Sequence, residues 1–66
     1  MSPKYPHIRV RLAGEDGSAF AILRRVTKAM RGGGCSTEEI EAFCVEATAD
    51  DYDNLLQTCF AWVHCR

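Results

Sequence analysis

One short segment of alternating apolar and polar residues constrains the fold more than any other feature of this sequence. Over residues 7–12, Ile8, Val10 and Leu12 alternate with one histidine and two arginines. Side chains two apart lie on the same face of a strand, so this pattern predicts a half-buried strand with a basic, solvated face. A strand by itself leaves its backbone N–H and C=O groups unpaired. The segment therefore requires a partner, supplied either by the tail at residues 62–66 or by a second copy of the chain.

The segment after this strand has the spacing of an amphipathic helix over about residues 18–31. Apolar residues recur at three- and four-residue intervals, while Arg24, Lys28 and Arg31 fall on the opposite side with Arg25 beside them. Asp16 or Ser18 is the expected N-cap. The run of glycines at 32–34 ends the helix and forms a Gly-rich joint over residues 32–35.

Two further helices follow. Ser36 and Glu39 have the spacing of a capping box, and the apolar stripe behind them predicts a helix that ends near Thr48. Asp50 is the expected N-cap of a third helix, and the tail 62–66 either extends that helix or leaves it as a short strand.

The resulting prediction is an α+β fold: one small domain over residues 1–66, with an N-terminal strand and three helices, and with a tail that either extends the third helix or forms a short C-terminal strand that pairs with the first. Residues 1–5 are expected to be flexible. A 66-residue chain buries only ~60% of its unfolded surface, so a partner would add to a small core. The predicted core comprises Ile8, Val10, Leu12, Phe20, Ile22, Leu23, Val26, Ile40, Phe43, Leu55, Leu56, Cys59, Phe60 and Val63.

Charge is divided between the two halves of the chain. Residues 1–33 carry seven basic and two acidic side chains, a net charge of +5, whereas residues 34–66 carry one basic and seven acidic side chains, a net charge of −6. Such asymmetry is typical of a nucleic-acid-binding face or of a self-complementary surface. The simpler interpretation is that each half merely solvates its own helices.

The cysteines and histidines do not form a recognisable chemical motif. Without a secretory signal we expect a cytoplasmic protein, in which all four cysteines are free thiols: Cys35, Cys44, Cys59 and Cys65. Zinc sites use close-set ligand pairs such as C-x2-C, which the Cys59, His64 and Cys65 group lacks. Neither a catalytic residue nor a metal ligand nor a cofactor is therefore predicted, although a cysteine–histidine site at the C-terminus is a remote alternative.

The remaining interpretations are two kinds of binding module. A protein-interaction module is favoured by the small core, the unpaired strand and the charge division, and its partner is another protein or a second copy of the chain. The alternative is a small nucleic-acid-binding regulator that uses a basic face on the strand and the first helix. We expect no membrane and no small-molecule substrate. The candidate binding residues in both cases are Arg9, Arg11, Arg24, Arg25, Lys28 and Arg31.

Five segments of the chain also carry a resemblance. They are residues 5–12, 14–23, 36–43 and 46–59 and the closing Trp62-Val63. These segments resemble a family of short uncharacterised proteins of bacteria and their phages. The resemblance covers nearly the whole chain and implies no activity. It implies an accessory role, such as host takeover, regulation or defence.

Overall fold

A two-stranded parallel sheet joins the two ends of the described chain. The computed structural model describes residues 2–12 and 17–65, with the element order β1 (Tyr5–Val10), α1 (Ala19–Gly32), α2 (Thr37–Ala47), α3 (Tyr52–Trp62) and β2 (Val63–Cys65). Strand β1 pairs with β2, and the three helices form the crossover between them. The predicted α+β fold is confirmed, and of the two alternatives for the tail the structure shows the short strand that pairs with the first.

The strand pairing starts earlier in the sequence than the alternation of residues 7–12 indicated. Tyr5 pairs with Val63 and Arg9 with His64, so the register is irregular between Tyr5 and Arg9. The backbone N–H of Lys4 donates a hydrogen bond to the carbonyl oxygen of Ala61, 2.9 Å away. Pairing with β2, rather than the alternation alone, therefore decides where β1 begins and ends.

Each helix begins at a side chain that caps it. Ser18 Oγ accepts a hydrogen bond from the backbone N–H of Ala21, which selects Ser18 over Asp16 as the N-cap of α1. The capping box predicted for α2 is present between Ser36 and Glu39. The N-cap of α3 is Asp51, which accepts from the N–H of Asn54, and the prediction of Asp50 was wrong by one residue.

The core lies between the helices and the inner face of the sheet. Buried side chains come from all five elements, namely Ile8, Val10, Ile22, Val26, Met30, Ile40, Phe43, Ala47, Leu55, Cys59, Trp62 and Val63. Helix α2 packs against both of the other helices, while α1 covers β1. Leu12, Leu23 and Leu56 are half-buried at the edge of this core.

Two aromatic residues that were predicted in the core are exposed instead. Phe20 is 70% exposed because the buried stripe of α1 runs through Ile22, Val26 and Met30, and a residue two positions before Ile22 lies on the opposite side. Phe60 is 59% exposed because the neighbouring Cys59, together with Trp62, carries the buried stripe of α3. Trp62, which is not among the predicted core residues, is only 8% exposed.

Side-chain hydrogen bonds of two aromatic residues, one in β1 and one at the end of α3, connect these elements to α2. The hydroxyl of Tyr5 donates a hydrogen bond to Oε2 of Glu39 at 2.6 Å, and the indole Nε1 of Trp62 donates one to Oε2 of Glu46. The ammonium of Lys4 lies 4.3 Å from the centroid of the Trp62 ring, within range of a cation–π contact. The two hydrogen bonds anchor β1 and the end of α3 to α2, the middle helix of the crossover.

The joint between α1 and α2 approaches the sheet closely at one glycine. A Cβ on Gly33 would lie 2.8 Å from Cγ1 of Ile8, so a side chain does not fit there without movement. Gly34 has a φ of +94°, a conformation that glycine adopts without strain. Within the described residues, no helix combines the length and the apolar character that crossing a bilayer requires.

Candidate interaction surface

The outer face of α1 carries a row of one aromatic and three cationic side chains. Phe20, Arg24, Lys28 and Arg31 are all exposed and follow one another at intervals of four, four and three residues, so they lie along one side of the helix. We call these four residues the basic row. The guanidinium of Arg24 lies 5.9 Å from the centroid of the Phe20 ring, which places the aromatic group and the charge side by side.

The basic row borders a shallow surface depression. It has a volume of about 430 Å³ and is lined by Arg24, Arg25, Thr27, Lys28 and Arg31. The hydroxyl of Thr27 donates to the backbone carbonyl of Arg24 at 3.2 Å. The described residues that line it are cationic or hydroxyl-bearing, so they present positive charge and hydrogen-bond donors to the depression.

Within the part of the chain that the structure describes, this face is a cationic patch. Among the described residues, Arg24, Lys28 and Arg31 form no ion pair, and the first turn of α1 contains no acidic residue. Seven residues of helix separate Arg24 from Arg31, a rise of ~10 Å, so the three charges lie within about one Debye length at 0.1 M salt. Such a face attracts an acidic partner.

The structure divides the predicted binding residues into two groups. Arg24, Lys28 and Arg31 share the exposed face of α1, and Arg25 reaches the same depression although it is half-buried, which corrects the expectation that it faces solvent fully. Arg9 is exposed on β1 and Arg11 just beyond the end of that strand, and neither lines the depression.

Helix α2 carries a second exposed row, of the opposite charge. Glu38, Glu41 and Val45 are exposed and lie at intervals of three and four residues, on one side of the helix. We call these three residues the acidic row. Val45 is 71% exposed because it lies on the side of α2 opposite the buried Ile40, Phe43 and Ala47.

Sequence reasoning missed the two apolar members of these rows. Phe20 was assigned to the core and Val45 was not singled out. The available signal was spacing, because Phe20 precedes Arg24 by four residues and Lys28 by eight. The same interval that groups the cations on one face therefore also places the aromatic ring there.

The cysteines and histidines provide no comparable cluster. Cys59 is fully buried, and this burial raises the pKa of its thiol to about 12. His64 is exposed on β2 and Cys65 is half-buried beside it. Over residues 2–12 and 17–65, the structure brings together no group of three histidine, cysteine or acidic side chains that would hold a metal ion.

The fold and the two rows thus define a small α+β domain with oppositely charged helix faces. Compared with models of protein families, with curated proteins and with solved structures, the chain gave no match in any of the three comparisons.

Proposed function

We propose that this domain is a non-enzymatic protein-interaction module whose binding surface is the basic row of α1. The observation that carries the proposal is the row itself: three cations without ion pairs among the described residues, next to an exposed phenylalanine. The partner is a protein surface rich in aspartate and glutamate. A cytoplasmic location fits the four thiols of the structure, and the resemblance to short bacterial and phage proteins favours an accessory role.

A protein partner fits this surface better than a partner that offers only charged groups. Arginine and aromatic side chains are the residues on which binding energy at protein interfaces concentrates, and Phe20 and Arg24 supply both side by side. An apolar ring that is 70% exposed gains from burial against another protein. The charges around it orient the encounter and select an acidic partner.

The test is capture of partners from a lysate of the source cells with three forms of the protein. The first is the wild type, the second carries Arg24→Glu and Lys28→Glu, and the third carries Arg9→Glu and Arg11→Glu as a control with the same change of charge. Nuclease-treated lysate should yield the same proteins with the wild type and the control, and these should be lost with the α1 variant. If the α1 variant captures the same proteins as the wild type, the basic row is not the binding surface.

Nucleic-acid binding is the second candidate, and the depression beside Arg25 and Thr27 favours it. Among residues 2–12 and 17–65, those that line it offer several donors and no carboxylate, which is an arrangement suited to phosphate groups. The seven acidic side chains in residues 34–66 oppose a polyanion, however, and so place this candidate second.

Fluorescence anisotropy with labelled DNA and RNA oligonucleotides separates the two candidates. If nucleic acid is the partner, the logarithm of the affinity falls linearly with the logarithm of the salt concentration. Reversing Arg24 and Lys28 should then reduce that slope by about 2, one for each lost phosphate contact. If the oligonucleotides do not bind even at low salt, nucleic acid is excluded and protein is the remaining one of the two candidate partners.

A further inference from the structure

We propose that the occupant of the basic row is the acidic row of α2 in a second copy of this chain. The inference deepens the proposed function and rests on it, because it assumes that the basic row binds protein and then names the partner. It is argued from the order and spacing of residues along the two helices, together with their charges and exposure.

The two rows match in position when their helices run antiparallel. Phe20 precedes Arg24 by four residues and Lys28 by eight, which are rises of ~6 and ~12 Å along α1. In the reverse direction along α2, Val45 is followed by Glu41 after four residues and by Glu38 after seven, at ~6 and ~10 Å. The remaining difference of about 1.5 Å is within the reach of a lysine side chain.

In this register each residue of one row faces a suitable residue of the other. Phe20 of one copy lies against Val45 of the other, which covers two of the most exposed apolar side chains of the domain. Arg24 then faces Glu41, and Lys28 faces Glu38. The antiparallel arrangement also places the positive end of each helix dipole beside the negative end of the other.

A single copy does not bring the two rows together. Helices α1 and α2 pack against each other through their buried sides, which carry Val26 and Met30 on α1 and Ile40 and Phe43 on α2. The rows lie on the exposed sides of the same helices, and the cations of the basic row have no ion pair among the described residues. A second copy supplies the opposite charge that each row lacks.

The expected association is weak and sensitive to salt, because exposed ion pairs contribute little individually and are screened. Sedimentation velocity and equilibrium measurements over a range of protein concentrations test it. The wild type should form dimers or larger species with increasing concentration at low salt, and should dissociate at high salt. A chain that stays monomeric at every concentration and at low salt overturns the proposal.

Charge reversal provides a sharper test, because it includes a rescue. One variant carries Arg24→Glu and Lys28→Glu, and the other carries Glu38→Lys and Glu41→Lys. Each alone should associate at least about tenfold more weakly than the wild type, since each then carries two rows of the same sign. An equimolar mixture of the two should associate again, because each row now meets its opposite.

A third variant and a control keep the result interpretable. All four substitutions in one chain exchange the signs of the rows and should restore self-association, whereas Arg9→Glu with Arg11→Glu should leave it unchanged. Circular dichroism checks that each variant is folded. Association that none of the α1 and α2 variants weakens would place the contact on another surface and overturn the proposal.

The outcome separates this inference from the function on which it rests. If the wild type is monomeric but still captures other proteins through Arg24 and Lys28, the second copy is excluded while the interaction module stands. If capture is also unaffected by reversing these two charges, both proposals fail.

Discussion

The phenol of Tyr5 and the carboxylate of Glu39 connect the beginning of the sheet to the beginning of α2. Oε2 of Glu39 accepts a hydrogen bond from the Tyr5 hydroxyl at 2.6 Å, while Oε1 of the same carboxylate accepts one from the backbone N–H of Ser36 at 2.7 Å. One carboxylate therefore completes a helix cap and holds a strand. Both groups titrate, so stability should depend on pH through each of them.

Glu39 should contribute to the loss of stability in acid. Hydrogen bonds from Ser36 and Tyr5 lower the pKa of this carboxylate below its ordinary value of 4.5. A lowered native pKa means that the contribution is fully present above about pH 4.5 and is lost as the pH falls through the lower native value. Urea denaturation at a series of pH values should show a shallower acid loss for Glu39→Gln than for the wild type. The exposed neighbour Glu38 provides the control, and an equally shallow curve for Glu38→Gln would contradict the assignment.

Tyr5 should contribute to the loss of stability in alkali. Its hydrogen bond to the Glu39 carboxylate, together with partial desolvation, raises the pKa of the phenol from 10.0 to about 12. A raised native pKa means that the contribution is complete below pH 10 and is lost as the pH rises from there through about 12. The stability advantage of the wild type over Tyr5→Phe should therefore be constant up to pH 10 and shrink above it. An advantage that is unchanged at pH 11 would show that the phenol carries no such hydrogen bond.

Phe43 and Phe60 should respond very differently to truncation. Phe43 is fully buried, and replacing a buried phenylalanine by alanine costs ~3–5 kcal/mol. A domain of this size has only ~3–5 kcal/mol of net stability, so Phe43→Ala should be largely unfolded. Phe60→Ala should change stability by no more than about 0.5 kcal/mol, because its ring is mostly in solvent. Far-ultraviolet circular dichroism and the fluorescence of the single tryptophan measure the stability of both variants. Comparable losses of stability in the two variants would place Phe60 in the core.

Gly32 and Gly33 form a matched pair for testing the joint. A Cβ on Gly33 would lie 2.8 Å from Cγ1 of Ile8 and 3.2 Å from the carbonyl oxygen of Ala29, so Gly33→Ala should destabilise the domain by about 1–2 kcal/mol. At Gly32, the last residue of α1, a Cβ meets nothing within 4 Å, and Gly32→Ala should stabilise the helix by up to ~1 kcal/mol. Thermal denaturation monitored by circular dichroism compares the two variants. A stabilising effect of Gly33→Ala would show that the Ile8 side chain moves aside readily.

Thiol labelling should distinguish Cys59 from the other three cysteines. Cys59 is fully buried, and a thiol whose pKa is raised to about 12 has almost no reactive thiolate at neutral pH. Iodoacetamide should therefore modify Cys59 in the native protein much more slowly than Cys35, Cys44 or Cys65, which are partly exposed. Peptide mass spectrometry after timed labelling resolves each site, with labelling in urea as the control. Native labelling of Cys59 at the rate of Cys44 would show that α3 opens frequently.

The sequence was sufficient for the parts of the fold that depend on local patterns. Alternation around Val10, the capping box at Ser36 and the apolar stripe of α3 each reflect interactions within a few residues, and these elements are present. The tail at Val63 was left open between helix and strand because β pairing is non-local. Its partner, Tyr5, is at the other end of the chain.

Predictions failed where one helical position decides between burial and solvent. Adjacent residues on a helix differ by about 100°, so a wide apolar stripe does not say which edge residue turns inward. For this reason Phe60, which was predicted in the core, is exposed, whereas Trp62, which the predicted core omitted, is buried. The Tyr5–Glu39 link was equally inaccessible, because it joins residues 34 positions apart through the packing of the whole domain.

The parallel pairing of β1 with β2 also determines the order in which the domain can be completed. Tyr5 pairs with Val63 across a chain that includes three helices, so the entropic cost of closing this loop precedes the non-local contacts that offset it. On the ribosome, β1 is synthesised before β2, which follows α3. Strand β1 therefore has no strand partner until β2 is available. The first of the two strands to be synthesised is thus among the last elements to be paired. Until it is paired, the helices must provide the surface against which it packs.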